Sequence, residues 1–381
     1  MEHLYERTEK TNNQVLIVIP GNIDFRGIQV FFHSALINIP MDDVGIDIYF
    51  AGTCEQQSML DDFMKIDVGV YIGNINVQSS FDKNLFLSDM NWLLDHCQYE
   101  CVHVNSGIPW FNSYAMCIAK QHKIPKRFSH SHSSHIQQKS VLKRAYKEYL
   151  TLLNNKNTTH YLACSDSAAK WMFGDRKALE AEILNNGINP LRYKFNPEVR
   201  SKMRREYGVE NNKVVLHVGA FNKAKNQSFL VDVLKNMVIK DNSVRLFFIG
   251  TGDFLPYIKK RICEEKLNEF AIFVGTSNRV CDYMQMADLF VLPSVFEGLG
   301  LVNIEAQAAG LRCIVSDVVP ESVKITDLLQ FVSLDKGSGY WAEKCLMAMD
   351  DYRRQDTSDE INKADYSVNS LTKRLHELYC E

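Results

Sequence analysis

At 381 residues the chain is too long for one ordinary hydrophobic core, so two domains are expected. Its 46% hydrophobic and 23% charged residues are typical of a soluble globular protein, and a net charge of −3 gives no basic excess for nucleic acid. The charged residues 1–13 lack the pattern of a secretory signal, and no apolar run is long enough to predict a membrane span. Ten cysteines without paired spacing favour free thiols in a reducing cytosol.

Short apolar runs alternate with helical stretches along the chain. Several, such as VLIVI and VRLFFIG, are apolar without alternation, which is typical of strands buried on both faces of a parallel sheet. The first set of predicted strands is 14–19, 46–50, 100–105, 126–130, 160–164 and 182–184. The second set is 213–219, 244–250, 271–275, 289–293 and 313–316. This alternation predicts a doubly wound α/β fold.

The turn-rich segment NNGINP separates the two sets of strands. It predicts two Rossmann-like, parallel-sheet domains, residues 1–187 and 188–361, with a last helix, 362–381, that packs back on the first domain. Ligands of such sheets bind beyond the carboxyl ends of the strands, so the domains are expected to face each other across a ligand-binding cleft. No GxGxxG motif follows the first strand and no Walker motif is present, which argues against a dinucleotide enzyme and a P-loop kinase.

The segment PSVFEGLGLVNIE, residues 293–305, carries the strongest chemical signal. Gly298 and Gly300 remove side chains where a helix is predicted to begin, so an anion such as a diphosphate can approach the backbone amides there. Glu297 lies in the preceding loop, and Glu305 lies about two turns into the helix. An isolated pair of this kind would be a helix cap and a solvated carboxylate, but the long motif around it favours binding of hydroxyl groups.

Taken with motifs elsewhere, this block resembles glycosyltransferase family 4, which has the GT-B fold and includes enzymes that build bacterial capsular polysaccharides and exopolysaccharides. The other matching motifs follow the family's order at 161–165, 170–174, 186–188, 217–219, 225–226, 249–252 and 305–310. The resemblance implies a retaining transferase for a nucleotide diphosphate sugar, with UDP the expected nucleotide. It also implies that no metal or other cofactor is needed, and no Asp-x-Asp motif is present to bind one.

The resemblance also implies roles for single residues on the donor side. Glu305 is expected to bind the ribose hydroxyls, Glu297 to hold hydroxyls of the donor sugar, and Lys225 to neutralise the leaving diphosphate. Outside this context Lys225 would be interpreted as a solvated lysine at a helix start. The remaining residues expected at the donor site are Gly298, Leu299, Gly300, Gly27, Gly252, Arg279 and Val280.

A histidine-rich segment, RFSHSHSSH, resembles the family's His-Ser-His motif. The resemblance implies that His132 lies near the donor sugar and takes part in catalysis. His130 is an acceptor-side candidate, because alternate residues at a strand end share a face. A zinc site formed by His130, His132 and His135 is the rival interpretation.

Three positions depart from the family pattern. Arg26 and Gln29, both acceptor-side candidates, replace a glycine and an acid in the segment DFRGIQ, while Ala220 stands where the family commonly has a diphosphate-binding arginine. These departures keep open a catalytically degenerate subunit that partners an active transferase. A GT-B nucleotide-sugar epimerase is a further alternative.

Residues 139–153 predict a basic amphipathic helix. Its apolar residues at helical spacing are Leu142, Tyr146, Tyr149, Leu150 and Leu153, and its basic residues are Lys139, Lys143, Arg144 and Lys147. The helix either packs on the protein by this stripe or contacts anionic lipid. The expected acceptor, a glycan or an undecaprenyl-diphosphate-linked glycan, favours lipid contact, with the protein in the cytoplasm at the inner face of the cell membrane.

Overall fold

The computed structural model describes residues 1–8, 13–24, 27–39, 43–75, 83–132, 140–350 and 353–381. The chain divides into two compact units. Unit 1 comprises Met1–Gly187 and Val368–Glu381, and unit 2 comprises Ile188–Ser367.

Unit 1 alternates strands and helices over its first 187 residues. Its strands are β1 Glu2–Tyr5, β2 Asn13–Ile19, β3 Val44–Phe50, β4 Gly69–Ile72, β5 Cys101–Ser106, β6 Lys126–Ser131, β7 His160–Ala163 and β8 Glu182–Ile183. Its helices up to that point are α1 Gly27–Leu36, α2 Gln57–Lys65, α3 Lys83–His96, α4 Pro109–Gln121, α5 Val141–Asn157 and α6 Asp166–Ala178.

Among the described residues these strands form one sheet in the order β1-β4-β3-β2-β5-β6-β7-β8. The pairs from β4 to β8 are parallel, and β1 joins the edge antiparallel to β4. Strand β2 shows why its sequence is apolar throughout. Ile17 and Ile19 pack into the core layer that contains α1, whereas Leu16 and Val18 pack into the layer that contains α3 and α4. Both faces of the sheet are therefore covered.

Unit 2 repeats the same plan with fewer strands. Its strands are β9 Lys213–Val218, β10 Val244–Ile249, β11 Ala271–Gly275, β12 Leu289–Leu292, β13 Arg312–Ser316 and β14 Leu329–Val332. Its helices are α7 Pro190–Tyr193, α8 Pro197–Tyr207, α9 Gln227–Lys240, α10 Leu255–Glu264, α11 Val280–Met286, α12 Val302–Ala308, α13 Gly337–Met349 and α14 Ser358–Lys363. The described strands pair in parallel in the order β11-β10-β9-β12-β13-β14.

The last helix, α15 Val368–Cys380, belongs to unit 1. It packs against α1, β2 and β3, and its Leu375 and Tyr379 are buried in the same core layer as Ile17. The Thr372 hydroxyl donates to the carbonyl of Ala35 at 3.1 Å. The core of unit 1 is thus completed by the last residues of the chain.

The predicted strands correspond to strands of the structure, but β1, β4 and β14 were not predicted. Unit 2 also extends to Ser367, six residues beyond the predicted boundary at 361. The helix predicted to begin at Gly298–Gly300 begins only at Val302 and ends at Ala308, so Glu305 lies in its first turn and not two turns in. Within the residues that the structure describes, no helix combines the length and apolar character needed to cross a membrane.

Candidate functional site

The centre of the candidate site in unit 2 is an ion pair between Lys225 and Glu297. The Lys225 Nζ lies 2.7 Å from Glu297 Oε2, and the Ser294 hydroxyl donates to the same oxygen at 3.0 Å. Only 17% of the Lys225 side chain and 10% of the Glu297 side chain are exposed. The two residues follow β9 and β12, so both lie at the carboxyl-terminal edge of the sheet, where ligands bind in this class of fold.

The turn that carries Lys225 is held by a short set of hydrogen bonds. Asn222 caps the 3₁₀ turn Lys223–Lys225 by accepting from the Lys225 amide at 3.1 Å. The Val295 amide donates to the carbonyl of Ala224 at 2.8 Å, which ties this turn to the loop after β12. The two loops that supply the ion pair are therefore joined through their backbones.

Gly300 is required by the close packing around Glu297. Its φ is +69°, and a Cβ there would lie 2.9 Å from Glu297 Cγ and 2.7 Å from Asn303 Nδ2. Gly298, Leu299 and Gly300 are all partly exposed. Helix α12 has only seven residues and begins after Leu301, so the helix dipole contributes less to anion binding here than the sequence suggested.

Glu305 lies on α12 beside α7 and accepts a hydrogen bond from the Tyr193 phenol. The side chain keeps some exposure to solvent, but burial raises the pKa of its carboxyl, an effect that the bond from Tyr193 and the charge of Arg192 oppose. Burial and the Glu305 charge raise the pKa of the Tyr193 phenol. The Tyr193 phenol therefore keeps its hydrogen and donates a hydrogen bond to Glu305, so the Glu305 side chain is oriented before any ligand arrives.

A buried histidine supports the loop after β9. The His217 Nδ1 lies 3.0 Å from the Val291 carbonyl, and its Nε2 lies 3.3 Å from Gln227 Nε2. Gln227 Nε2 also donates to the carbonyl of Ala220 at 2.9 Å. Burial lowers the pKa of His217 to about 4, so the ring is neutral. Ala220 is exposed, and its backbone is held from beneath by this network.

Gly252 and Arg279, both expected at the donor site, also contact other parts of unit 2. A Cβ at Gly252, where φ is +153°, would lie 2.4 Å from the Phe221 carbonyl oxygen, so this glycine allows the loops after β9 and β10 to pack. The Arg279 guanidinium is paired with Glu206 at 3.1 Å and with Asp282 at 2.9 Å. Any contact of Arg279 or Val280 with a donor is therefore expected from the backbone at the start of α11.

In unit 1, three imidazoles lie in a row on one face of β5 and β6. His103 Nδ1 is 2.7 Å from the Tyr379 hydroxyl, and His103 Nε2 is 3.3 Å from His130 Nδ1. The rings of His130 and His132 are 4.0 Å apart. Burial lowers the pKa of His103 and of His132 to about 3 and holds that of His130 well below its ordinary value.

The residues predicted for unit 1 differ in how far they are exposed to solvent. His130 is fully buried, so direct contact with an acceptor does not fit this structure, whereas His132 is partly exposed. Gln29 is buried, and its amide nitrogen donates to the carbonyl of Asn22 at 3.1 Å, which holds the loop after β2. Gly27 begins α1, and Arg26 lies outside the described residues.

The zinc interpretation has no support in the described parts of the chain, where no three His, Cys, Asp or Glu side chains are grouped as a metal site. His135 lies outside those parts. The neutral rings of His130 and His132, which are tilted by 34° to each other, pack against Phe31 at 5.7 and 5.2 Å between ring centres.

The group 1 glycosyl transferase family model ("Glycosyl transferases group 1") matches residues 199–345, which include Lys225, Glu297 and Glu305. The chain is 28% identical over 263 residues to the putative glycosyltransferase EpsF of Bacillus subtilis strain 168, a match that covers 66% of this chain and 67% of EpsF. The chain is a glycosyltransferase.

Other relatives of this glycosyltransferase match more locally. It is 27% identical over 148 residues to the UDP-Gal:alpha-D-GlcNAc-diphosphoundecaprenol alpha-1,3-galactosyltransferase of Escherichia coli, and the match covers 37% of each chain. Among solved structures, Anabaena Alr3699/HepE in complex with UDP superposes with a TM-score of 0.73 at 16% identity, over 95% of this chain and 98% of HepE. This similarity shows that the glycosyltransferase has the GT-B fold.

Several residues around the candidate sites of unit 1 and unit 2 were not found from the sequence. They are Tyr193, Asn222, Gln227 and Ser294 in unit 2, and His103, Asn105 and Tyr379 in unit 1. Asn222 carried a usable signal, because an asparagine three residues before Lys225 is a typical cap. Tyr193 carried none, since it lies 112 residues before the carboxylate that it contacts.

Proposed function

We propose that this glycosyltransferase transfers a hexose or N-acetylhexosamine from a UDP-sugar to a glycan carried on a lipid diphosphate, with retention of anomeric configuration. The Lys225–Glu297 pair carries the proposal, because one cation and one carboxylate lie side by side at the ligand-binding edge of unit 2. HepE, which shares the fold, was crystallised with UDP and with UDP-glucose, and the related Escherichia coli enzyme is named for a diphosphoundecaprenol acceptor.

In this proposal each charged group of unit 2 binds a different part of the nucleotide-sugar donor. Lys225 moves from Glu297 to the diphosphate as the leaving group gains charge, and a cation that meets developing charge stabilises the transition state. Glu297 then accepts from hydroxyls of the sugar, and Glu305, oriented by Tyr193, accepts from hydroxyls of the ribose. Backbone amides of residues 298–300 supply the remaining donors.

The proposed mechanism is a front-face displacement. The acceptor hydroxyl attacks the anomeric carbon from the side of the departing diphosphate, whose oxygen takes the proton. No carboxylate then has to act as a covalent nucleophile, so the two-carboxylate scheme of glycosidases does not apply to Glu297 and Glu305. No metal is required, because Lys225 supplies positive charge at the diphosphate.

The test is a transfer assay with the full chain. UDP-sugars and GDP-mannose are incubated with lipid-diphosphate glycan acceptors, free UDP or GDP is measured, and products are analysed by mass spectrometry and by NMR of the new anomeric centre. We expect one UDP-sugar to yield a glycoside with retained configuration. Glu297→Gln serves as the inactive control. Conversion of the donor sugar to its epimer without a glycoside would indicate an epimerase, and binding without turnover would indicate a degenerate subunit.

We also propose that α5 holds the enzyme against an anionic membrane at the cytoplasmic face. Four apolar side chains on this helix are largely exposed, Val141 at 83%, Leu142 at 82%, Leu152 at 70% and Tyr149 at 55%. The helix packs on the protein through Leu150, Thr151, Asn154 and Asn157. Of the five apolar residues on the predicted stripe, only Leu150 is buried, so packing on the protein does not account for the other four.

Charge reversal tests the membrane proposal. Lys139, the fourth basic residue of the predicted helix, lies outside the described residues. Changing Lys143, Arg144 and Lys147 to glutamate should weaken binding to anionic vesicles strongly at low salt, because each basic contact contributes about 1 kcal/mol at such a surface. Vesicle sedimentation measures the loss. The matched control changes Lys235, Lys240 and Lys260 of unit 2 to glutamate, which alters the net charge equally. An equal loss in both variants would show that binding depends on net charge alone.

A further inference from the structure

His132 and Asn105 meet at the carboxyl-terminal edge of the sheet of unit 1. Asn105 lies near the end of β5, His132 follows the last residue of β6, and the two strands pair in parallel. The Asn105 Oδ1 lies 3.3 Å from His132 Nε2. Asn105 is fully buried, whereas His132 is partly exposed.

The orientation of the Asn105 amide follows from its second partner. Its Nδ2 donates to the carbonyl of His103 at 3.0 Å. A carbonyl oxygen can only accept, so the nitrogen of the amide must face it and the oxygen must face the imidazole. Since that amide oxygen also only accepts, His132 Nε2 must carry the hydrogen.

A neutral ring with hydrogen on Nε2 has a lone pair on Nδ1. The titratable groups that face His132 are the imidazoles of His130 and His103. Helix α1 packs the apolar ring of Phe31 against the His132 ring. Burial lowers the pKa of His132 to about 3, which keeps the ring uncharged. Its Nδ1 has no hydrogen-bond partner among the residues that the structure describes.

We propose that Asn105 is a positioning residue that fixes His132 as the Nε2–H tautomer, so that Nδ1 accepts a hydrogen bond from a sugar hydroxyl. The proposal rests on the proposed transferase function for its hydroxyl ligand. An accepting nitrogen matches a hydroxyl, which can donate, and does not match the oxygens of an ionised diphosphate, which only accept. His132 therefore serves the sugar, and the diphosphate is left to Lys225.

The tautomer is measured first, by NMR of the wild-type enzyme labelled with 15N-histidine. His132→Gln assigns the His132 signals among those of the 11 histidines. We expect a protonated Nε2 and an unprotonated Nδ1. A protonated Nδ1 in the wild type would overturn the proposal, and this measurement needs no Asn105 variant to fold.

Kinetics then test the role of Asn105. Asn105→Leu removes the accepting oxygen and should lower turnover about two- to tenfold, the range of one neutral hydrogen bond, while affinity for free UDP stays unchanged. The NMR spectrum of Asn105→Leu should no longer show a fixed Nε2–H tautomer for His132, because no amide oxygen then accepts from this nitrogen. In a His132→Ala background Asn105→Leu should have no further effect on turnover. An equal loss in that background would show that Asn105 acts only on stability and would overturn the proposal.

Two further outcomes are distinguishable. If the tautomer is as expected but His132→Ala leaves turnover unchanged, the ring is fixed without serving the reaction, and the proposed hydroxyl contact is wrong. If no sugar transfer occurs with any donor, the proposed function fails, whereas the NMR result still decides whether Asn105 fixes the tautomer.

Discussion

The carboxyl-terminal edges of the two sheets carry opposite kinds of chemistry. In unit 2 a lysine and two carboxylates lie at that edge, and each is held by a polar partner. In the described part of unit 1 the corresponding edge presents His132, whose ring is neutral and is backed by two more neutral imidazoles. Buried charge is costly unless it is paired, and the largely buried Lys225 and Glu297 of unit 2 are paired with each other. Under the proposed function, this difference fits a diphosphate beside Lys225 in unit 2 and a neutral hydroxyl group beside His132 in unit 1.

The largest expected effect is on stability in acid. His103, His130 and His132 are neutral when folded and each takes up a proton on unfolding, so the free energy of unfolding should fall with decreasing pH. Below about pH 6 each ring contributes about 1.4 kcal/mol per pH unit to the slope of the free energy of unfolding, and the three rings together contribute about 4 kcal/mol per pH unit. This stability is present above the unfolded pKa near 6.5 and is lost as the pH falls below it.

Urea unfolding of the wild type and of His103→Gln at pH 7, 6 and 5 measures this slope. We expect the slope of the free energy of unfolding against pH to be smaller in the variant by about 1.4 kcal/mol per pH unit. A loss of stability that is the same at every pH does not change this slope. An unchanged slope in His103→Gln would mean that this ring is charged in the folded protein, which would break the contrast between the two edges.

Removing the cation of unit 2 should have the next largest effect. Lys225→Met should lower turnover by about 10²- to 10³-fold, the effect of losing one group that stabilises charge in a transition state. It should also destabilise the fold, because Glu297 is left largely buried without its partner. Lys235→Met is the control, since its ammonium pairs with Glu265 at the surface. The double variant with Glu297→Gln should regain stability but not activity; restored activity would contradict the role of Lys225.

Glu305→Gln should mainly weaken nucleotide binding. A hydrogen bond to a charged group contributes about 1.5–3 kcal/mol, or about one to two decades in affinity. Calorimetry with free UDP measures the loss once binding to the wild type is established. Glu343→Gln, which changes an exposed carboxylate paired with Lys240, should bind as the wild type does. Unchanged affinity in Glu305→Gln would count against ribose recognition by this residue.

Ala220→Arg should produce a smaller, favourable change. The methyl group is exposed while the backbone is held by Gln227, so a longer side chain has room at this position. A fixed positive charge near the diphosphate should favour the transition state over the ground state. A tenfold rise in turnover needs about 1.4 kcal/mol. Steady-state turnover at saturating donor is measured for the wild type and the variant, and the melting temperature of each serves as the stability control. A stable variant with no faster turnover would show that the charge of the diphosphate is already compensated.

The smallest expected effect is that of metal removal. If Lys225 alone meets the charge of the leaving group, turnover should be unchanged in excess EDTA. The same assay with added zinc and magnesium provides the comparison. Activity that disappears in EDTA and returns with either ion would show that a metal ion, and not Lys225 alone, meets the charge of the leaving group.

Much of the fold was predictable because its strands are apolar on both faces. Runs such as VLIVI in β2 are typical only of covered parallel sheets. Two of the missed strands lacked that signal for physical reasons. β1 is a four-residue edge strand with partly exposed, polar residues, and β14 has an exposed glutamine beside its buried residues. β4 has four residues, but β7 and β12 are as short and were predicted, so length does not explain why β4 was missed.

The site was predictable only where its residues lie in one motif. Glu297, Gly300 and Glu305 share a single segment, and Lys225 lies in another whose order matched the family. Contacts between distant segments left no such pattern: Tyr193 reaches Glu305 across 112 residues, and His103 reaches Tyr379 across 276. Burial of His130 was likewise hidden, because alternation places a side chain on a face but does not say what covers that face.

The position of α15 has a consequence for how the protein is made. Unit 1 begins at the first residue of the chain, yet Leu375 and Tyr379, which close its core, leave the ribosome after the whole of unit 2. Domains usually fold in order during synthesis, so the first unit is expected to wait, with an apolar surface uncovered, while the second folds. A chain truncated before residue 368 and released from the ribosome should therefore present a folded unit 2 and a unit 1 that chaperones and proteases still recognise.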